Sequence, residues 1–561
     1  MKSAVAVVLG VAVFLPQAVT ASHGRSLDEH ALAEFMEYAA RLVAIEPKIA
    51  PHGVCTVAGT NAGFAVGRCG LSDALVAKGR LSIPKDLGDE GFLVKSVEDG
   101  GRNYLVILGG SPKGTLYGVY HYLEKCCRVG FFWDGEHVPR LGSLPAAGID
   151  VVERPRWPMR QYMMDGEYTS YWWNWDQWKA EVDWAAQHRF NVLSSNFDFT
   201  ATWRAVWKRF GVEVPPSSLS GPPFHPWAGW HKWAIRPPYP VAYQDFQADL
   251  AKRFTDYGRS VGIKMAPDFR GFLGQVPREF AKAYRGKARF LEVGWGGFDP
   301  PGVICPLYML HITGDRLGGE RPYGAEQARQ FLPHLQAALE VALAEADRAG
   351  ARALYDRDLI DIARQFLSGL FNVHAARLVR AFRSNDPKGF RRESAALKAI
   401  LESQEVLLSS SEEFCLSPVL ARARALPHAP EDIDERIRDI LTVWAGKILD
   451  YAHRDYYELL RFYYRKRVEA FLAQAESNLA ARRPIVDDRR LEPVDHEIEQ
   501  RFVKTPFVVT KGDRCPGTPV QAARELLARH RLSDAELNEL AAETFGPTEK
   551  KTSSYSIGEG K

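Results

Sequence analysis

The fold is indicated by the segment Tyr168-Thr-Ser-Tyr-Trp-Trp-Asn-Trp-Asp-Gln-Trp-Lys-Ala-Glu-Val-Asp-Trp184. Asn174 precedes Gln177 by three positions, a variant of the capping-box spacing, and this predicts a helix that begins there and runs to His188. The short runs 159–165 and 190–195 on either side are predicted as buried strands. The unit is therefore strand, aromatic loop, helix and strand. Its loop leaves the carboxyl end of the first strand, where parallel α/β folds place their binding groups.

Tryptophan is concentrated around this segment, because eleven of the fourteen tryptophans lie between Trp157 and Trp233. Trp178 recurs at helical spacing with Val182, Ala185 and Ala186, which gives the helix a buried side. Trp178 and Trp184 are both interpreted as core. The loop aromatics from Tyr168 to Trp173 are instead interpreted as exposed. A flat ring beside a polar loop stacks well on the C–H face of a sugar, so this loop predicts carbohydrate binding.

The segment also resembles the α-N-acetylglucosaminidases, the lysosomal and bacterial glycoside hydrolases that remove terminal α-N-acetylglucosamine. The matching residues are Tyr168 and the runs 172–178, 181–184 and 190–193. The resemblance continues in chain order through Gly221-Pro-Pro-Phe-His-Pro-Trp227, Val293-Gly-Trp-Gly-Gly-Phe298, the run 353–365, Leu441-Thr-Val-Trp444 and Ile448-Leu-Asp-Tyr451. It therefore covers nearly the whole chain after its first residues.

The resemblance implies a sugar-binding site whose partner is a glycan with a terminal N-acetylglucosamine. The positions that match the family's site are Tyr168, Trp227, Trp295, Trp444, Ile448 and Tyr451. These side chains are expected to converge on one concavity at the carboxyl ends of the strands, with Tyr451 at its rim. No metal and no organic cofactor is implied, because this hydrolysis needs only carboxylates and water.

One large part of the family's pattern is missing, and it concerns catalysis. Cleavage with retention uses two carboxyl groups about 5–5.5 Å apart. The family carries both as glutamates on barrel strands after the third, whereas this sequence passes from Trp295 into the helical part of the pattern across residues 306–324. The catalytic glutamates therefore have no counterpart, and no catalytic residue is predicted. The chain is either a gene-model or splice product of a longer enzyme, or a degenerate relative that binds without cutting.

Three carboxylates lie near the predicted strand ends and could face the pocket. These are Asp165, Glu167 and Asp198. Glu167 follows no family precedent as a catalyst, and a carboxylate on a loop usually faces solvent or an arginine. Glu539 follows Asn538 in an Asn-Glu pair of the catalytic type, yet it falls on the predicted last helix and is assigned to a solvated face. Two function classes remain, a glycoside hydrolase by descent that has lost its active centre and a secreted carbohydrate-binding or scaffold protein.

The predicted fold class is α/β plus α, with a small N-terminal α/β domain, an incomplete (β/α) TIM-barrel-like domain and a helical C-terminal domain. Three predicted strand–helix units fall short of the eight that close a barrel. The loop Gly109–Gly114 is interpreted as a turn rather than a phosphate cradle. The predicted boundaries are 1–21 for a signal peptide, 27–150 for the N-terminal domain, 155–305 for the partial barrel, 320–548 for the helical domain and 549–561 for a disordered tail.

The amino-acid composition and the N-terminal segment limit which binding partners and which cellular compartment are expected. A formal charge of +3, with 46% apolar and 25% charged residues, gives no reason to expect nucleic acid or an anionic surface. Lys2 and the apolar run Ala4–Leu15 predict a secretory signal too short to span a bilayer, cut after Ala21. The expected location is the secretory pathway, ending outside the cell, in the periplasm or in the lysosomal lumen. Seven cysteines then allow three disulfides, and their spacing shows no zinc pattern.

Overall fold

The structure is a computed structural model of the chain. It describes residues 26–50, 54–57, 62–164, 172–195, 200–209, 211, 239–266, 325–349, 352–444, 447–448, 454–485, 487–506 and 517–544. Two compact units are present. The first comprises Met1–Gly229 with Arg236–Pro300, and the second comprises Trp230–Ile235 with Pro301–Lys561.

The first unit alternates strands and helices. Its elements in chain order are α1 Leu27–Val43, β1 Lys48–Ala50, β2 Val54–Thr56, β3 Ala62–Val66, α2 Gly70–Ala77, β4 Phe92–Asp99, β5 Arg102–Gly109, α3 Pro112–His121 with a π-helical turn Tyr122–Cys126, β6 Gly130–Phe132, β7 Gly135–His137, β8 Asp150–Glu153, β9 Gln161–Met164, α4 Trp175–Gln187, β10 Val192–Ser195, α5 Thr200–Arg209, α6 Val241–Ser260 and β11 Lys264–Met265.

The N-terminal part is built on a six-stranded mixed sheet. Its strand order is β1-β2-β3-β5-β4-β8, and β3 and β5 are the parallel pair. Only Gly110 and Ser111 separate β5 from α3, so the predicted loop Gly109–Gly114 is a tight strand-to-helix turn whose last three residues already belong to the helix. Ser111 caps α3 by accepting from the backbone of Lys113 at 3.1 Å, and a Cβ on Gly110 would meet the Gly88 carbonyl oxygen at 1.9 Å. The glycine is therefore required by close backbone approach.

A three-stranded parallel layer follows, in the order β11-β10-β9. Val192 of β10 is in register with Gln161 of β9 and Lys264 of β11. Across the ranges that the structure describes, this layer does not close into a barrel, which agrees with the predicted fold class. One apolar core joins the layer to the N-terminal part, since Phe35 and Leu193 belong to the same buried cluster.

Helix α4 begins where the sequence predicts. Asn174 Oδ1 accepts from the Gln177 backbone N–H at 3.1 Å, and Gln177 Oε1 accepts from the Asn174 N–H at 3.2 Å. Two of the four amide donors that a helix leaves open at its start are thereby satisfied. Trp178 is 2% exposed, and Trp184 packs against the same core, so both core assignments are confirmed.

The predicted exposure of the loop aromatics is wrong for the two that the structure describes. Trp172 is 3% exposed, and the ring centroid of Trp173 lies 5.4 Å from that of Trp178 in an edge-on contact. Trp178 in turn meets Phe254 of α6 at 5.2 Å. The rings are covered because α6, which lies far along the chain, packs on α4 and extends the core over them.

The cysteine count allows three disulfides, but the described cysteines form none of them. All five cysteines in the described part of the chain are free thiols, and three bridges would need six of the seven. These thiols are Cys55, Cys69, Cys126, Cys127 and Cys415. Burial raises the pKa of the Cys55 thiol to about 11, so this side chain packs as a small apolar residue rather than reacting as a thiolate.

The second unit is mainly helical, as predicted. Its elements are α7 Ala325–Ala344, α8 Arg352–Arg383, α9 Pro387–Ser409, a 3₁₀ turn Glu412–Phe414, α10 Leu416–Arg424, α11 Ile433–Thr442, β12 Val443–Trp444, β13 Lys447–Ile448, α12 Tyr457–Leu459 running through a π-helical segment Leu460–Tyr464 into α13 Arg465–Ala480, α14 Asp488–Lys504, α15 Pro519–His530 and α16 Asp534–Ala542.

Long-range polar contacts fix the helices of this unit. Glu458 is fully buried, and its carboxylate accepts from the first two backbone N–H groups of α10, those of Leu416 at 2.6 Å and Ser417 at 2.9 Å. This is an anionic cap at a positive helix end.

Glu539 of α16 is exposed, which confirms the solvated-face assignment. None of the helices described is long and apolar enough to cross a membrane.

Candidate functional site

The candidate site lies where the three parallel strands end. β9 ends at Met164, β10 at Ser195 and β11 at Met265, and parallel strands place these ends on one edge of the layer. The loops that follow fall outside the described residues. So do four predicted sugar-binding residues, Tyr168, Trp227, Trp295 and Tyr451, and the three carboxylates weighed as substitutes, Asp165, Glu167 and Asp198.

The other two predicted sugar-binding residues lie in the second unit. Trp444 and Ile448 belong to the two strands of a hairpin, in which Val443 pairs with Ile448 and Trp444 with Lys447. The hairpin follows α11 directly, and Thr442 Oγ1 at the end of that helix donates to the Arg438 carbonyl oxygen at 2.9 Å. That all six residues line one sugar site stays a prediction.

Glu181, in the family-like segment, is a buried carboxylate with a structural environment. It is 5% exposed, and its two oxygens each lie 3.2 Å from the donor Trp133 Nε1. Tyr162 of β9 donates to Glu181 Oε1. Burial raises the pKa of this carboxyl. Glu181 therefore connects a strand of the parallel layer to the β6–β7 hairpin.

Asp183, two residues further along α4, also serves packing between helices. Lys179 Nζ donates to Asp183 Oδ2 at 2.6 Å, and Tyr257 of α6 donates to Oδ1. Burial raises the pKa of this carboxyl, and Lys179 partly offsets that effect. A carboxyl with a raised pKa is a candidate for catalysis, but Glu181 and Asp183 lie along a helix rather than at the strand ends. We therefore assign both to the structure of the first unit.

Glu34 of α1 faces the same region. Tyr120 donates to Glu34 Oε2 at 3.1 Å. Burial raises the pKa of Glu34 to about 8, and repulsion by Asp183 and Glu37 contributes. The folded state therefore holds a proton here at pH values where the unfolded chain, with the usual pKa of 4.5, has lost it. By linkage this contribution to stability is complete below about pH 4.5 and is lost as the pH rises through 8.

The proton held by Glu34 should make the stability of the chain depend on pH. We expect the free energy of unfolding of the wild-type chain to fall relative to that of Glu34→Gln between pH 5 and 8.5, because glutamine keeps a neutral side chain throughout. Denaturant unfolding at several pH values measures the difference. Glu46→Gln, at an exposed position after α1, is the control and should follow the wild-type curve. Parallel curves for wild type and Glu34→Gln would contradict the assignment.

Two sets of paired charged side chains in the second unit were not predicted from the sequence. Arg364 and Asp455 form a buried ion pair at 2.9 Å. Arg377 and Arg380 together hold the carboxylate of Glu543. The spacing of three between Arg377 and Arg380 places them on one helix face, but the carboxylate lies 163 residues after Arg380. In the described part of the chain, no three metal-ligating side chains come together.

Comparison with protein families follows the same division of the chain. A model described as the α-N-acetylglucosaminidase tim-barrel domain matches residues 160–316. A model described as the α-N-acetylglucosaminidase C-terminal domain matches residues 327–529, and one described as the glycosyl hydrolase family 67 N-terminus matches residues 15–122. The two α-N-acetylglucosaminidase models together cover more than half of the chain.

Individual relatives agree with the family match. Human α-N-acetylglucosaminidase is 26% identical over 259 residues, which are 42% of this chain and 34% of the human enzyme. A family 89 glycoside hydrolase from Clostridium perfringens, solved with two glutamate-to-glutamine substitutions and its substrate GlcNAc-α-1,4-galactose, has a TM-score of 0.62 at 13% identity, covering 92% of this chain and 81% of that one. A complex of a family 89 enzyme from the same organism with PUGNAc gives 0.62 at 14% identity, covering 91% and 81%. At this identity the structures show a shared fold.

Proposed function

Because the chain belongs to the α-N-acetylglucosaminidase family, we propose that it binds glycans ending in α-linked N-acetylglucosamine without hydrolysing them. The proposed contacts are the six residues Tyr168, Trp227, Trp295, Trp444, Ile448 and Tyr451. The proposed location is the secretory pathway, in keeping with the apolar run Ala4–Leu15 after Lys2. The competing function is hydrolysis of the same glycans by a rebuilt active site.

Support for binding comes from the family and from the proposed aromatic contacts. The Clostridium perfringens relative was solved with a substrate that carries N-acetylglucosamine, and human α-N-acetylglucosaminidase is named for removing that sugar. Five of the six proposed contacts are tryptophans or tyrosines from separate segments, at positions that by resemblance match the family's sugar contacts. Aromatic faces stack on the apolar side of a pyranose ring, while neighbouring polar groups read its hydroxyls.

The proposed lack of turnover rests on one observation. Only a short stretch of sequence separates the match to the barrel domain from the match to the C-terminal domain. The barrel match ends at residue 316, and the match to the C-terminal domain begins at residue 327. A closed eight-stranded barrel needs about 250 residues, far more than the span from 160 to 316. Strands after the third carry the family's catalytic glutamates, so this spacing supports their loss.

The consequence for chemistry follows from the roles that those glutamates play. A positioned general acid or base accelerates bond cleavage by about 10²–10⁴-fold, and a nucleophile divides the reaction into two easier steps. Aromatic walls bind the ground state and the transition state about equally, which tightens binding without lowering the barrier. A site that keeps its aromatic side chains but lacks both carboxyl groups can therefore bind the sugar without cleaving it.

The second prediction tests the proposed contacts by titrating the purified chain with methyl α-N-acetylglucosaminide in a calorimeter. Trp295→Ala and Trp444→Ala should each weaken binding by about two- to tenfold, because an aromatic contact contributes about 0.5–1.5 kcal/mol. Trp157→Ala is the matched control, since that ring is 65% exposed and outside the proposed contacts. A wild-type chain that binds no sugar, or equal affinity in all variants, would refute the assignment.

A further inference from the structure

The second unit contains a cleft of about 990 Å³ between α8, α9, α15 and α16. This volume lies at the upper end of the range for small-molecule sites, about 300–1,000 Å³. Five arginines contribute to its walls, namely Arg377, Arg380, Arg392, Arg529 and Arg531. All the elements around it belong to one compact unit, so its geometry is internal to the helical domain.

A carboxylate of the chain itself lies in this cleft. Arg377 donates to Glu543 Oε2 through Nε at 3.0 Å and through Nη2 at 2.7 Å. Arg380 donates to Oε1 of the same carboxylate. The Glu543 side chain is only 12% exposed. Two guanidinium groups thus surround one carboxylate with the fork geometry that arginine offers to carboxylate and sulfate.

The arginine pair holds the Glu543 carboxyl in its ionised form. Burial opposes ionisation of Glu543, but the hydrogen bonds from Arg377 and Arg380 more than compensate and lower the pKa of the carboxyl below its usual value. Glu543 is therefore ionised near neutral pH. Glu536 also lines the cleft and acts on Arg377, so the site's preference for an oxyanion comes from the converging hydrogen-bond donors of Arg377 and Arg380 rather than from an excess of positive charge.

The arginines at the rim pair with other carboxylates. Arg529 pairs with Glu402 at 3.0 Å and Arg531 with Glu340 at 2.8 Å, with side chains 49% and 55% exposed. Such exposed pairs are screened by solvent and add little. Arg380 is equally exposed, at 56%, so Glu543 is held mainly by Arg377, which is 27% exposed. Glu543 directly follows the end of α16, so moving its carboxylate away leaves that helix intact.

We propose that this cleft is a ligand site for an oxyanion, a carboxylate or a sulfate group, and that Glu543 occupies it as an internal ligand. One carboxylate fills only a small part of the cleft, which leaves room for the rest of a small molecule. The site lies entirely in the helical domain and is independent of the proposed sugar site. Failure of either proposal therefore leaves the other standing.

The Glu543 carboxylate competes with any added anion for the arginine pair and so lowers the apparent affinity for that anion. A tethered group competes at an effective concentration in the millimolar range or above. An anion added to the wild-type chain must displace Glu543, whereas in Glu543→Gln the arginine pair has no charged competitor. We therefore expect Glu543→Gln to bind the anion about tenfold more tightly than the wild type does.

Calorimetric titration with sodium sulfate at constant ionic strength tests this expectation, and sodium acetate is a second probe. Glu543→Gln should bind at least one of them more tightly than the wild type, and the stronger response identifies the preferred oxyanion. Arg377→Gln combined with Glu543→Gln should abolish binding. Arg391→Gln combined with Glu543→Gln is the matched control, because Arg391 pairs with Glu476 at 2.7 Å on an exposed surface outside the cleft lining, and it should still bind.

Three results would overturn the proposal. If Glu543→Gln binds neither anion, the arginine pair only anchors the chain after α16. If the variant that also lacks Arg377 binds equally well, the effect is non-specific. If wild type and Glu543→Gln bind with equal affinity, Glu543 is not an internal ligand. Should Glu543→Gln unfold at a lower temperature, Arg380→Gln in the wild-type background gives a second test, since it should weaken anion binding while Glu543 keeps its contacts with Arg377.

Discussion

Replacing Trp178 with alanine should lower the free energy of unfolding by about 3–5 kcal/mol, the range for removing a large aromatic side chain from a core. The ring is 2% exposed and lies edge-on to Trp173 at 5.4 Å and to Phe254 at 5.2 Å. Its loss would leave a cavity between α4 and α6 that these rigid rings fill poorly. Denaturant unfolding followed by circular dichroism measures the change.

The same substitution at an exposed tryptophan is the matched control. Trp157 is 65% exposed, and Trp157→Ala should change the free energy of unfolding by less than about 0.5 kcal/mol. Equal effects at the two positions would show that the tryptophan-rich segment is not the core of the parallel layer.

The second large effect is expected for Arg364→Met in the helical unit. Arg364 Nη1 donates to Asp455 Oδ2 at 2.9 Å and Nε donates to Asp361 Oδ1 at 2.6 Å. The side chains of Arg364 and Asp455 are 6% and 1% exposed. Removing the guanidinium leaves a buried carboxylate without this counter-ion, which costs about 3–5 kcal/mol. Denaturant unfolding again measures the loss.

A double variant separates the cost of an unpaired charge from the value of the pair. Arg364→Met combined with Asp455→Leu should recover much of the lost stability, because apolar replacement of both partners of a buried pair is often neutral. The exposed pair Arg391–Glu476, with side chains 71% and 50% exposed, provides the control, and Arg391→Met should cost less than about 1 kcal/mol. No recovery in the double variant would contradict this account of the pair.

Local signals in the sequence predicted the elements that depend on neighbouring residues. The Asn174 and Gln177 spacing predicted the start of α4 because the capping box is made entirely within one helical turn. The helical spacing of Trp178 likewise predicted its place in the core. These patterns act over a few residues, so a single sequence contains them in full.

Predictions that depended on distant partners were less successful. Trp172 was expected to be exposed, but its burial depends on packing that the local sequence does not show. Glu181 accepts from Trp133, 48 residues earlier, and nothing in the local pattern indicates that pairing. A cysteine count gives only the number of disulfides that is possible, because bridging depends on Cα separations that the fold alone sets.

Turnover of p-nitrophenyl α-N-acetylglucosaminide by the purified 561-residue chain tests the central claim most directly. We expect no release of p-nitrophenolate above the uncatalysed rate, under conditions in which methyl α-N-acetylglucosaminide still binds. Aromatic side chains that bind the sugar, without a general acid and a nucleophile, leave the activation barrier of hydrolysis unchanged. Clear turnover by the wild-type chain, abolished by Glu167→Gln or Asp165→Asn, would contradict the claim and show that the active site has been rebuilt from other carboxylates.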